Sequence, residues 1–166
     1  MAEFEKIKIR VSAIIRCENE IALILRHKNG QDTYTLPGGN VEDGEDIFQA
    51  LQRELDEEMN IHSENPKLLA IQDQMVSRPG ATPSPRKLHF IFGISINADR
   101  RSSLATSEID DLGEGHIVWV DMNKAASFHL YPAIGPMLEK YSNHSSFADW
   151  ATELLPAMTN ENFQWR

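Results

Sequence analysis

The stretch from Asp46 to Met59 carries the clearest helical pattern in the chain and constrains the fold more than any other feature. Ile47, Leu51, Leu55 and Met59 recur at four-residue spacing, and neither proline nor glycine interrupts them. A helix of this kind buries one apolar stripe and therefore needs a sheet or further helices to pack against. The flanking sequence has to supply that partner.

Segments rich in β-branched and aromatic residues lie on both sides of this helix and predict strands. The predicted strands are Lys6–Cys17, Ile21–His27, Leu68–Val76, Lys87–Asn97 and Ile117–Val120, with a tight turn at Glu18–Glu20. This order of elements, in which strands precede a helix and are followed by more strands and then helices, favours an α/β or α+β sandwich around a mixed sheet. Because no repeat or linker interrupts the sequence, we expect residues 1–166 to form one domain.

The remaining segments predict loops and C-terminal helices. The proline and adjacent glycines of Leu36–Gly39 predict a break in regular structure. Long polar loops are expected at Ser77–Arg86 and Ala98–Gly115, of which the first contains three prolines. From Met122 onward the chain has a helical pattern, and Ser146–Leu155 predicts a last amphipathic helix.

Composition argues against several functional classes. The chain is 41% apolar and 25% charged, as is ordinary for soluble proteins, and its net charge of −9 disfavours broad binding to nucleic acids. Cys17 is the only cysteine, so neither a disulfide framework nor a cysteine-based zinc site is expected. The N-terminal residues do not resemble a signal peptide, and no apolar run could span a bilayer. We therefore expect a cytoplasmic protein without a membrane partner.

Three glutamates share one face of the predicted helix. At about 100° per residue, Glu54, Glu57 and Glu58 fall within an arc of roughly 100° beside the apolar stripe. Like charges at this spacing, near the helix C-terminus, weaken a bare helix. A solvated acidic face is one interpretation. The other is a site for Mg²⁺ or Mn²⁺, which prefer oxygen ligands. Arg53, four residues before Glu57, is positioned to pair with it.

The residues around this helix match a longer pattern. From Gly39 to Ile61 (the box segment) the chain reads Gly-x5-Glu-x7-Arg-Glu-Leu-x-Glu-Glu-x-Asn-Ile. This resembles the Nudix box, Gly-x5-Glu-x7-Arg-Glu-U-x-Glu-Glu-x-Gly-U, in which U is a bulky aliphatic residue. The single departure is Asn60, where the family has glycine. Asparagine is the next-best residue for a left-handed helix cap, so the change is structurally tolerable and removes no metal ligand.

The resemblance implies an α/β class fold, an α/β/α sandwich around a mixed β-sheet. It also implies a divalent-metal-dependent hydrolase that uses Mg²⁺ or Mn²⁺ to cleave the diphosphate (P–O–P) linkage of a nucleotide-like small molecule. The substrate would be a nucleoside diphosphate derivative or a nucleoside triphosphate, attacked by water at phosphorus. The alternative is a Nudix-fold regulatory module that binds a nucleotide without cutting it. A homodimer is also possible.

The resemblance assigns roles to residues of the box segment and to the glycine before it. The metal ligands would be the carboxylates of Glu54, Glu57 and Glu58, together with the carbonyl of Gly38. Arg53 would orient a box glutamate, and Glu45 would support that arrangement. The general base stays open between the box and a distant loop.

The distant candidates for the base are the acidic residues of Ala98–Gly115, namely Glu108, Asp110, Asp111 and Glu114. Glu114 is favoured among them because it directly precedes a predicted strand. Ordinary solvation of the loop explains each of these acids equally well.

Residues outside the box segment are candidates for substrate binding. Arg26 lies at the end of a predicted strand, and Arg78 lies beside the proline-rich loop, where each is positioned to contact a phosphate. Tyr34 and Phe90 are candidates for stacking on a base. The alternative for Arg26 is an ordinary surface arginine, and that for Arg78 is a basic patch on an exposed loop. Phe90 and Phe92 lie on the same strand face, so core packing is the alternative for that pair.

Overall fold

In the part of the chain that the structure describes, ten strands form one mixed sheet, with helices on both faces. The computed structural model describes residues 6–62, 65–76, 86–104, 106–110 and 113–166. The strands are β1 (Lys8–Cys17), β2 (Glu20–Lys28), β3 (Gln31–Thr35), β4 (Gly38–Asn40), β5 (Lys67–Gln74), β6 (Lys87–Ser95), β7 (Ser107–Asp110), β8 (Gly113–Asp121), β9 (Leu130–Tyr131) and β10 (Glu153–Leu154). The helices are α1 (Ile47–Met59), α2 (Ala98–Ser102), α3 (Met122–Ala125) and α4 (Gly135–Tyr141), followed by a 3₁₀ turn at Phe147–Asp149.

Strand β1 organises the sheet. The strand order is β10-β5-β6-β1-β2-β3-β9, and β1 runs parallel to β6 along its whole length. On its other side, β1 pairs with β4 near its beginning, where Arg10 faces Asn40, and with β2 at its end, where Arg16 faces Ile21. Strands β8 and β7 extend the sheet beside β2. The strand that contains Gly38 and Gly39 (the box glycines) is therefore held directly against β1.

Alternating side chains of β1 supply two separate cores. Val11, Ala13 and Ile15 pack against α1 on one face of the sheet, whereas Ile14 packs with α3, α4 and the 3₁₀ turn on the other. Alternation is what a strand buried on both faces requires. The layers are helix, mixed sheet and helix, which confirms the predicted α/β/α sandwich.

Helix α1 confirms the predicted helix and is capped at both ends. Asp46 is the N-cap, and it exchanges hydrogen bonds of 2.9 Å with Gln49 in a capping box. Ala50, Leu51, Leu55 and Met59 form the buried stripe. Among the residues that the structure describes, no helix is long and apolar enough to cross a membrane.

The prediction that Leu36–Gly39 breaks regular structure is wrong for the two glycines, which belong to β4. Gly38 has φ of 149°, and a Cβ atom at this position would collide with the Val11 carbonyl of β1. The glycines thus allow close strand pairing here, which only a residue without a side chain permits.

Two further predictions in the C-terminal half are wrong. The expected loop Ala98–Gly115 contains α2, β7 and the start of β8. The expected helix Ser146–Leu155 is a 3₁₀ turn followed by β10, which runs parallel to β5. Pairing with the free edge of β5 satisfies this backbone, since the Leu155 N–H donates to the Ile71 carbonyl at 2.9 Å. Pro156 also disfavours a helical conformation at Leu155.

The left-handed C-cap of α1 gives a stability prediction. Asn60 has φ of 56°, and its N–H closes the helix on the Asp56 carbonyl at 3.2 Å. Asn60→Ala should lower the free energy of unfolding by about 1 kcal/mol, because alanine tolerates this conformation poorly. Asn60→Gly should preserve or raise it. Urea denaturation of the three proteins tests this, and an alanine variant as stable as the wild type would contradict it.

Candidate active site

The Arg53 side chain joins α1 to the loop that precedes it. Its Nε donates to Glu45 Oε1 at 2.5 Å and its Nη2 donates to Glu45 Oε2 at 3.1 Å, so the pair is bidentate. Both side chains are largely shielded from solvent. Glu45 Oε2 also accepts the Glu42 N–H at 3.0 Å. This pairing fixes the orientation of the guanidinium.

The same guanidinium also contacts carboxylates of α1 and a carbonyl of β4. Arg53 Nη1 donates to Glu54 Oε1 at 2.8 Å and lies 3.5 Å from Glu57 Oε2. Its Nη2 also donates to the Asn40 carbonyl at 3.1 Å. Two of the three predicted metal-binding glutamates, Glu54 and Glu57, thereby contact the same guanidinium, beside β4.

The carboxylates of this cluster lie in different electrostatic environments. Hydrogen bonds from Arg53 hold the pKa of Glu45 below its usual value. Burial raises the pKa of Glu54, against the opposing effect of Arg53 and, more weakly, Arg10. The Glu54 side chain is 14% exposed and that of Glu57 is 60% exposed. Glu54 is therefore a buried carboxylate whose charged form would gain from a further cation.

Both box glycines contact this cluster directly. The Gly38 N–H donates to Glu58 Oε2 at 2.8 Å, which ties the third glutamate to β4. A Cβ atom at Gly39 would collide with the Glu54 carboxylate. The absence of a side chain at Gly39 thus makes room for Glu54.

Arg10 is a site residue that sequence reasoning missed. Its Nη2 donates to the Gly38 carbonyl at 3.1 Å, the carbonyl proposed above as a metal ligand. The signal was present in the sequence, because Lys8, Arg10 and Ser12 alternate with Ile7, Ile9 and Val11 and so place a polar row on one face of β1.

The metal ligands expected from the resemblance lie together but are bound to protein groups. Glu54 and Glu57 face Arg53, whereas Glu58 faces the Gly38 N–H. Within the described ranges, no three His, Cys, Asp or Glu side chains are arranged as a metal site as they stand. The carboxylates and the Gly38 carbonyl are nevertheless the oxygen donors that a hard cation prefers.

The candidate bases of the distant loop lie on the β7–β8 hairpin. Glu114 is in β8 with an exposed side chain, and β7 lies beside α1. No hydrogen bond or ion pair between described residues joins Glu114 to the box carboxylates. Asp111 lies outside the described residues, as do the side chains of Glu108 and Asp110.

The candidate substrate-binding residues do not form one surface. Tyr34 contacts Phe128, with ring centroids 4.6 Å apart, and borders the core of α3 and α4. Phe90 borders the core of α1, as does Phe92. Tyr34 and Phe90 therefore lie on opposite faces of the sheet. Arg26 is in β2 opposite Thr33, and Arg78 lies outside the described residues.

Comparison with known proteins places this geometry in a family context. The model of the NUDIX domain matches residues 6–141. An RNA pyrophosphohydrolase of Psychromonas ingrahamii is 39% identical over 57 residues, which are 34% of this chain and 32% of that protein. The match thus spans about a third of that relative's length.

Solved structures share the fold. The MutT protein from Bacillus halodurans superposes with a TM-score of 0.65 at 18% identity, over 93% of this chain and 92% of that chain. The MutT protein from Methanosarcina mazei has a TM-score of 0.61 at 20% identity, over 84% and 96%. The family model covers well over half of the sequence, including Arg53 and its partners Glu45, Glu54 and Glu57 (the Arg53 cluster). The chain therefore belongs to the Nudix hydrolase family.

Proposed function

We propose that this protein is a divalent-metal-dependent pyrophosphohydrolase that cleaves the P–O–P linkage of a nucleoside diphosphate derivative or nucleoside triphosphate. The observation that carries the proposal is the Arg53 cluster, in which one guanidinium orients Glu45, Glu54 and Glu57 beside the box glycines. A solvated acidic face would not need these fixed contacts. Metal-binding glutamates that are held in place suit catalysis.

The donor set fits Mg²⁺ or Mn²⁺. Glu54 is a buried carboxylate with a raised pKa, and Glu57, Glu58 and the Gly38 carbonyl supply further oxygens nearby. When bound, such a cation lowers the pKa of a ligated water and neutralises charge on the phosphates. Glu54, Glu58 and the Gly38 carbonyl would hold the ion, while Arg53 keeps its ion pair with Glu45.

Glu57 is the proposed general base. Its side chain is 60% exposed, and its contact with Arg53 is long, at 3.5 Å. Glu54 is fixed more firmly and is better suited to a structural ligand role. Glu57 is therefore free to accept a proton from the attacking water as the new P–O bond forms. Glu114 stays the second candidate for this role, from the β7–β8 hairpin.

The substrate is proposed to be a small nucleotide. The partly matching relative is named for activity on RNA, but the net charge of −9 disfavours contact with a long phosphate backbone. Arg26 and Arg78 remain proposed contacts to the rest of the substrate, together with either Tyr34 or Phe90, because the two rings lie on opposite faces of the sheet. A panel of nucleotide sugars, dinucleotides, nucleoside triphosphates and 5′-triphosphorylated RNA tests the substrate class directly.

Neutralising Glu57 should separate catalysis from folding. Glu57→Gln should lower kcat/KM by at least about 100-fold, because a general base is lost. The matched control is Asp56→Asn on the same helix, whose exposed side chain accepts a hydrogen bond from Gln52 and lies near His62. It should keep activity within about twofold. Phosphate release with Mg²⁺ measures both. Equal activity of the two variants would exclude Glu57 as the base, and no turnover in the wild type would favour the regulatory module.

The adjacent glycines should respond differently to alanine. In Gly39→Ala, the new Cβ displaces the end of the Glu54 side chain and no backbone atom, so the protein should fold but lose about 100-fold in kcat/KM. In Gly38→Ala, the Cβ meets the Val11 backbone, so the free energy of unfolding should fall by about 2 kcal/mol or more. Urea denaturation and phosphate release separate the two effects. Normal activity in Gly39→Ala would contradict the assigned position of Glu54.

A cation that binds the folded protein should stabilise it. At ten times its Kd, Mg²⁺ should add about 1.4 kcal/mol to the free energy of unfolding and raise Tm by a few degrees. EDTA should reverse the shift. Glu54→Gln should reduce it, whereas Asp56→Asn should not. Differential scanning calorimetry measures Tm, and an equal shift in all three proteins would place the cation elsewhere.

A further inference from the structure

A row of four polar side chains crosses the sheet face opposite α1. Gln72 of β5 faces His89 of β6, His89 faces Arg10 of β1, and Arg10 faces Asn40 of β4. Residues that face each other on neighbouring strands project to the same side of a sheet. The row spans three strand spacings, or roughly 14 Å.

Each member of this row has a buried polar atom without a partner in the described parts of the chain. The atoms are Gln72 Oε1, His89 Nδ1, Arg10 Nε and Asn40 Oδ1. A buried polar atom that lacks a hydrogen bond is costly, and unpaired atoms are rare in folded proteins. Four in one in-register row therefore indicate a place where something else binds.

The hydrogen bonds of His89 fix what its free nitrogen offers. Its Nε2 lies 2.8 Å from Gln74 Oε1, which also accepts the Tyr131 hydroxyl at 2.7 Å. Because Gln74 Nε2 donates to the Val76 carbonyl, Oε1 is the atom that faces the ring. His89 Nε2 must then carry the hydrogen. Burial, reinforced by the charge of Arg10, lowers the pKa of His89 to about 3, so Nδ1 is a bare acceptor.

Gln72 offers a second acceptor beside it. Its Nε2 donates to the carbonyls of Ala133 and Pro156, both at 3.1 Å, which leaves Oε1 directed elsewhere. Gln72 and His89 are both fully buried. The closed end of the row thus presents two neutral acceptors side by side. A phosphate would be repelled there, whereas a group with two N–H or O–H donors would be satisfied.

The other end of the row is half-exposed and adjoins the proposed catalytic cluster. Arg10 donates to the Gly38 carbonyl at 3.1 Å, and the Asn40 carbonyl accepts from Arg53 at 3.1 Å. The Tyr131 ring forms a side wall, edge-on to His89 and 5.4 Å from the Arg10 guanidinium. A ligand whose phosphates lie at the box glycines would extend along the row toward His89.

We propose that Gln72 and His89 select the neutral, hydrogen-bond-donating end of the substrate, either the amino-bearing edge of a nucleobase or the diol of ribose, while Arg10 and Asn40 line its path from the box glycines. This inference rests on the proposed function and names a substrate class for the same site. It predicts a preference for nucleotides with an amino group or a 2′-hydroxyl over analogues without it.

The test compares nucleotides that differ in the donors of the base or of the sugar. GTP differs from ITP by the 2-amino group, and dGTP lacks the 2′-hydroxyl of GTP. ATP has a 6-amino group and an unprotonated N1, where ITP has an oxygen and an N1–H. In at least one pair, the nucleotide that carries the donor should have a kcat/KM at least about tenfold higher with Mg²⁺. The analogue without the donor leaves buried acceptors unpaired. Dissociation constants measured by titration calorimetry in EDTA should rank the nucleotides in the same order.

Variants then assign the preference to the row. Gln72→Leu and His89→Phe should each bring the ratio of kcat/KM values within the discriminated pair toward one. The control is Ile94→Ala, a buried residue of β6 that faces α1, which should lower Tm but keep the ratio. A ratio lost for the amino pairs identifies the base as the selected group, and a ratio lost only for GTP against dGTP identifies the ribose.

Two results would overturn the inference. One is a wild-type protein that treats all members of each pair alike, and the other is a preference that survives in both row variants while Tm falls as in Ile94→Ala. Either would make the row a structural polar cluster. Absence of hydrolysis in the wild type would instead contradict the proposed function, and the dissociation constants would then still decide the inference.

Discussion

The Arg53 guanidinium is the interaction on which the arrangement of the site depends. It contacts a loop carboxylate, two helix carboxylates and a strand carbonyl at once. A guanidinium can do this because its five N–H groups point in fixed directions, whereas a lysine has one small cationic centre. Without the Arg53 guanidinium, Glu54 would have no hydrogen-bonded cation among the residues that the structure describes, and an unpaired buried charge is strongly destabilising. The positions of Glu45, Glu54 and Glu57 thus depend on one side chain.

Strand β1 connects this cluster to the rest of the molecule. Its N-terminal half holds β4 and so fixes the glycines against Glu54 and Glu58, while its C-terminal half pairs with β2. The N-terminal half of β1 also carries Arg10, which contacts the Gly38 carbonyl. A change in the pairing of β1 with β4 would therefore move the proposed metal ligands and the proposed recognition row together. This linkage explains why both sets of residues lie at one place in the sheet.

Local patterns are sufficient to predict α1, the five longest strands and the shared helix face of the box glutamates, because each depends on residues close in sequence. The period of four residues from Ile47 to Met59 and the spacing from Gly39 to Ile61 contain that information. The pairing of β10 with β5 was not predictable in this way. Phe147, Trp150 and Leu155 do form an apolar stripe, and all three are buried. Leu154, however, is 79% exposed, because the free edge of β5 draws this segment into an extended conformation.

The same limit applies to the site. Arg53, Glu54 and Glu57 could be placed together from a helical wheel, whereas the row from Gln72 to Asn40 depends on the register of four strands that are distant in sequence. No periodicity in a single segment reveals that register. Arg10 was visible only as a polar residue in an apolar strand, and its role emerged once β4 was placed beside it.

An acidic protein with a net charge of −9 and a phosphate-containing substrate present an electrostatic conflict. The geometry resolves it locally, since Arg53 offsets the box carboxylates on one side of β4 and Arg10 adds positive charge on the other. Burial still leaves the pKa of Glu54 raised, so these two arginines do not fully compensate the carboxylates. A divalent cation would supply the missing charge and would also attract the phosphates. The proposed requirement for metal therefore agrees with the charge balance of this chain as well as with its family.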